Sequence, residues 1–178
     1  MERIKEVLQV AGVHYRETSD LLHHFKNGLR KINQNMIHSL LFPESPIASI
    51  LHPQTQKTAL HYVSENQYSS SLLTQRLIDL GANVNAQNIN DETPLHSVLA
   101  LRMKKIVDVP IKNGADVNVP SKMGIYPIQY VTLLGSLEII EIVLRAEKPP
   151  NIQKNNTKRC LNVIKILLNE RQHCIISK

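Results

Sequence analysis

The sequence predicts an all-α solenoid, built of helix-turn-helix units joined by hairpin-like loops and closed at both ends by degenerate units. Three observations predict it. Thr58-Ala59-Leu60-His61 returns as Thr93-Pro94-Leu95-His96, and a worn copy begins at Tyr126-Pro127-Ile128-Gln129. The copies start at positions 58, 93 and 126, a nearly constant spacing. Gly81-Ala82-Asn83-Val84-Asn85 returns at the same spacing as Gly114-Ala115-Asp116-Val117-Asn118. A period near ~33 marks units that cannot bury their apolar faces alone and must stack to do so.

Each copy carries its own local logic. Thr93 is a helix N-cap residue whose hydroxyl serves the free N–H groups of the first turn. Pro94 follows at the first helical position, where a missing N–H costs nothing. Leu95 points inward, and His96, with two ring nitrogens, can bridge neighbouring units. Gly81 and Gly114 stand where a second helix ends in a left-handed residue. Asn85 and Asn118 suit the turn that follows. On these residues and this spacing, residues 53–147 resemble three ankyrin repeats.

Before them, residues 1–52 read as N-terminal helices and a capping unit. Ile4, Val7, Leu8 and Ala11 share one helical face, which Gly12 ends. Thr18-Ser19-Asp20 offers N-caps for a helix carrying Leu21, Leu22, Phe25 and Leu29. Ile32, Met36, Ile37, Leu40 and Leu41 mark another, stopping before Pro43. The adjacent His23 and His24 point about 100° apart on a helix and do not chelate as a pair.

Within the repeats, three departures are visible. The first unit is slightly longer between Thr58 and Gly81 than the second between Thr93 and Gly114, and the polar run from Asn66 to Ser71 absorbs the excess. In the second, Arg102 occupies the place where the family usually has Gly, and Pro110 lies inside the second helix, which should be kinked or shortened there. In the third, Tyr126 and Gln129 replace Thr and His, so the bridging bonds should be weaker or rearranged. Residues 148–178 then form a basic half-repeat cap and tail. Arg159-Cys160-Leu161-Asn162 lies one further period past Tyr126-Pro127-Ile128-Gln129. Cys160, Leu161, Ile164, Leu167 and Leu168 make an amphipathic face there.

Charge is uneven. The net +6 sits wholly in residues 145–178, with eight basic side chains against Glu147 and Glu170, while residues 1–144 hold 13 of each sign. Those basic residues are spaced along a helix face rather than blocked, and no aromatic follows Tyr130 to stack on bases, which argues against nucleic acid. No apolar run approaches the ~18 residues of a membrane span. The charged start, Met1 to Glu6, is no secretory leader, so a cytoplasmic location, with the nucleus as alternative, is expected. No phosphate loop, Cys-x-x-Cys motif or metal-ligand cluster occurs, and no cofactor is expected. Cys160 and His173 could form a nucleophile pair only with an activation that nothing nearby supplies. The sequence points to a binding protein rather than an enzyme.

The resemblance implies where binding occurs: loop tips and the exposed side of the first helices. It places Ile89, Asn90 and Glu92 on the second tip, and Lys122, Met123 and Ile125 on the third. The adjoining helices contribute Leu101, then Leu133 and Leu134. Several of these are apolar, and a contiguous exposed apolar patch usually marks an interface; the alternative is that they pack against the neighbouring repeat. Small size and few, worn repeats also resemble short viral inhibitor-of-κB-like ankyrin proteins, which hold Rel-type transcription factors. No Asp-Ser-Gly phosphodegron is present. A scaffold or adaptor role, or origin in a longer repeat array, remains open.

Overall fold

The computed structural model describes residues 18–31, 41, 45–134 and 137–146, with Asn162 and Lys165 beyond them. Seven α-helices and one 3-10 turn make up the described secondary structure, and no strand occurs among the described residues. Helix α1 spans Thr18–Lys31, and a 3-10 turn spans Pro46–Ala48. Repeat one holds α2 (Ala59–Ser64) and α3 (Ser71–Asp79). Repeat two holds α4 (Pro94–Ala100) and α5 (Asp108–Lys112), and repeat three α6 (Pro127–Leu134) and α7 (Leu137–Leu144).

The helices stack in two layers. α2 packs on α1 and α4, and α4 on α6, giving an inner row. α3 packs on α5 and α5 on α7, giving an outer row, while α2 with α3 and α6 with α7 tie the rows together. The apolar periodicity supplies the glue. Leu21, Leu22, Phe25, Leu60 and Leu77 are fully buried in the first half, and Leu95, Val98, Ile106, Ile128, Ile140 and Val143 in the second. Burying such a side chain is worth about 1.5–3 kcal/mol, so these positions hold the stack together.

Both repeat-closing glycines have the expected left-handed backbone, Gly81 at φ 88° and Gly114 at φ 81°. Pro110 shortens its helix rather than kinking it. α5 begins only at Asp108, so Pro110 falls in the first turn, where an absent N–H has no partner to lose. Arg102 adopts φ 54° in the turn after α4, the left-handed conformation that suits the glycine it stands in for. The excess length of repeat one does not lengthen its inter-helix loop, 65–70, beyond that of repeat two, 101–107; instead α3 has nine residues where α5 has five.

Helix α1 runs past Gly28 to Lys31, with Gly28 buried inside it. His24 is half-buried and His23 exposed. Leu41 is buried outside any helix. The helix expected over residues 1–11, the remainder of that expected from Ile32 to Leu41, and both cysteines lie outside the described residues. Of the C-terminal cap, Asn162 and Lys165 are helical and exposed.

Candidate functional site

The inner face begins at the histidines. In repeat one, Thr58 N–H donates to His61 Nδ1 at 3.1 Å, with the Thr58 hydroxyl 2.9 Å from the same nitrogen. In repeat two, Thr93 N–H donates to His96 Nδ1 at 3.0 Å, and the hydroxyl again lies 3.0 Å away. An Nδ1 that accepts leaves the proton on Nε2. Nε2–H of His61 then donates to Glu92 O at 3.0 Å, and that of His96 to Ile125 O at 3.3 Å. Each imidazole thus caps its own helix and clasps the next repeat. Burial is the main cause that pushes both imidazoles below their ordinary pKa, and the carbonyl bond to the next repeat partly opposes it.

In repeat three, Gln129 keeps half of this arrangement. Its Oε1 accepts from Tyr126 N–H at 2.6 Å, reproducing the cap without an imidazole. The rearrangement expected from the substitution is therefore a carboxamide in the place of Nδ1.

The loops before the inner helices project as fingers. Successive fingers are tied by their backbones: Ile89 N–H donates to Thr55 O, and Lys122 N–H to Asn90 O, both at 2.9 Å. Asn88 is buried and shapes the second finger, with Oδ1 accepting from the N–H groups of Asn90 at 2.8 Å and Glu92 at 3.1 Å. Gln56, Asp91 and Gly124 occupy equivalent places at the finger bends, each one repeat from the next, and all three have positive φ. Asparagine side chains repeat the tie behind the outer helices. Asn85 Nδ2 donates to Gly114 O at 3.1 Å, and Asn85 Oδ1 accepts from Asp116 N–H at 2.7 Å.

The ankyrin-repeat family model matches residues 55–89, one full period beginning and ending on these fingers. The repeats are ankyrin repeats. Neurogenic locus notch homolog protein 1 of Danio rerio is 28% identical over 116 residues, 63% of this chain. The match takes in 5% of that relative's length. Among solved structures, the ankyrin repeat domain of Bcl-3, a member of the IkappaB protein family, superposes with a TM-score of 0.55 at 23% identity. That likeness covers 66% of this chain and 49% of the Bcl-3 chain, and it concerns the fold. Ankyrin repeats are protein–protein interaction modules, and this chain carries such a module.

On that ankyrin frame the candidate residues fall into separate groups. Ile89 and Met123 are exposed at the tips of consecutive fingers, 46% and 84% respectively, beside exposed Asn90 and Lys122. Glu92 and Ile125 are half-buried at the finger bases, where their carbonyls receive the histidine clasps. The Glu92 carboxylate also accepts from Asn88 Nδ2 at 3.1 Å. Leu101 is exposed at the C-terminal end of α4, a whole helix length (about 10 Å) from the finger end. Leu133 and Leu134 close α6; their side chains lie outside the described set. Reasoning from sequence did not single out Tyr68, exposed in the inter-helix loop. Its signal was an aromatic side chain within an otherwise polar run.

Among the described residues, no cluster of three His, Cys, Asp or Glu side chains could hold a metal ion, and no helix is long and apolar enough to cross a membrane.

Proposed function

We propose that the chain binds a protein partner across its finger tips, with Ile89 and Met123 as apolar anchors, and that the partner is a Rel-type transcription factor held in the manner of an inhibitor of κB. The observation that carries the first part is the exposure of two large apolar side chains on adjacent fingers whose backbones are hydrogen-bonded together. Fixed anchors bind with little ordering cost, and a few buried apolar contacts dominate most interfaces. Flanking Asn90 and Lys122 would form the polar rim. The second part is supported by the fold shared with Bcl-3 and by the small number of worn repeats.

Biolayer interferometry with a purified Rel-homology dimer tests the specific reading. Affinity capture from lysate, with the wild-type chain beside Ile89→Asp with Met123→Asp, tests the general one. Circular dichroism first establishes that both chains are folded. The expected result is Rel binding weakened about tenfold or more by the double substitution, as loss of two central contacts implies. If Rel does not bind but another protein is captured and lost with the variant, the tips are the interface and the Rel assignment is wrong. If capture is indifferent to the variant, the tips are not the interface.

A further inference from the structure

At the other end of the inner helices lies a cleft of about 490 Å³ that the finger tips do not reach. Helix α1 contributes Lys26, Leu29 and Arg30; repeat one contributes Tyr62, Glu65 and the loop carrying Tyr68; Leu101 of repeat two completes it. The floor is apolar, with Leu29 and Tyr62 buried, and the rim exposes Tyr68 and Leu101. Asn66 Nδ2 donates to Leu29 O at 2.9 Å, which fixes the loop against the end of α1 and holds the cleft's shape.

Among the described residues that line this cleft, the charge is not balanced. Lys26 and Arg30 stand one helical turn apart, on one face of α1, where like charges repel. Lys26 Nζ sits 5.1 Å from the centre of the Tyr62 ring, so the cation is drawn over the floor of the cleft rather than out to solvent. The carboxylate among the described lining residues, Glu65, is already engaged, at 2.6 Å from Lys57 Nζ. No described carboxylate pairs with Lys26 or Arg30.

We infer that this cleft is a second docking site, for an acidic peptide segment that carries an apolar side chain. Carboxylates of the segment meet Lys26 and Arg30, and the apolar side chain lies against Leu29 between Tyr68 and Leu101. Arg30 offers a planar fork for bidentate pairing with carboxylate. A nucleic acid fits less well, because affinity for it grows with the number of phosphates neutralised, and two cations beside Glu65 and apolar walls supply little of that. The inference does not rest on the finger tips or on the Rel assignment.

Fluorescence anisotropy tests it with the full chain. The probe is a labelled nonapeptide with a central Leu-Phe pair flanked by glutamates. Controls are the same peptide with glutamines and a labelled single-stranded oligonucleotide. The acidic peptide is expected to bind saturably and to weaken about tenfold with Arg30→Glu, and further with added Lys26→Glu, since a reversed charge turns attraction into repulsion. Leu101→Asp should weaken it as well. Ile89→Asp with Met123→Asp should leave it unchanged. Arg30 is exposed, so its variant retains the fold even if Lys26→Glu disturbs Tyr62. Equal binding of the glutamine peptide, tighter binding of the oligonucleotide, absence of saturable binding, or loss with the finger variant alone would each overturn the proposal.

Discussion

Arg102 bears a backbone conformation that L side chains adopt at a cost of roughly 1–2 kcal/mol, which glycine avoids. Its side chain is exposed, and its place in the turn is conformational rather than packed. Arg102→Gly is expected to raise the unfolding free energy by about 0.5–1 kcal/mol, the remainder being lost to the freer unfolded glycine chain. Urea titration of both chains reads this directly, and an unchanged or lower midpoint refutes it. His61 and His96 make the second residue-level prediction. Their folded pKa lies below the ordinary imidazole value near 6.5, so the unfolded chain takes up protons that the folded chain refuses. The stability they contribute is therefore full above about pH 6.5 and is lost as pH falls through that value toward the folded pKa. The thermal midpoint should be lower at pH ~5 than at pH ~7.5. His96→Gln should reduce that difference, because Gln129 already shows a carboxamide accepting the cap N–H in repeat three. An unaltered pH difference in His96→Gln would remove His96 from this account.

The short α5 shows how an element absorbs an awkward residue. A proline inside a helix costs about 3 kcal/mol, yet here the chain starts the helix late and avoids most of that penalty. Pro110→Ala is thus expected to change stability by no more than about 1 kcal/mol, since no interior hydrogen bond is restored and a buried ring is lost. A gain near ~3 kcal/mol in the same urea measurement would show instead that the native helix is strained. Most of the elements were legible because their signals are local. A Thr cap, a proline at the first turn and a closing glycine act within a few residues, and their recurrence fixed the units. The glycine-like turn at Arg102 was readable from register alone. The finger bends at Gln56 and Asp91 were not: Gln does not favour a positive φ, and Asp tolerates one but is equally at home in ordinary turns and caps. Nor did the period reveal that Leu101 is remote from Ile89 and Met123. Register gives a residue's place within its unit, whereas distance across the face depends on how the short α4 points between neighbours.

At the scale of the molecule, the buried apolar side chains among the described residues form two clusters, one from Leu21 to Val84 and one from Leu95 to Ala146. They meet where α2 packs on α4 and where His61 clasps the second finger. A solenoid's stability is close to a sum over units and their joints. Leu95→Ala, at a position with no exposure, should cost about 2–5 kcal/mol. Amide exchange should then accelerate more across residues 94–146 than across 18–79. Equal acceleration in both halves would mean that the two clusters unfold as one.

The paired joints also bear on how such a chain can grow. Glu92 and Ile125 stand one repeat apart and receive equivalent histidines, and Ile89 and Lys122, equally spaced, donate equivalent finger bonds. A tandem duplication of residues 86–118 would therefore supply each new joint with its donor and acceptor already in place. The length difference between repeats one and two falls in the outer helices, nine residues in α3 against five in α5, away from those joints. Genes for such a protein could gain a whole unit in one recombination event, while a change of a few codons would be tolerated in the outer half of a unit and punished at the fingers.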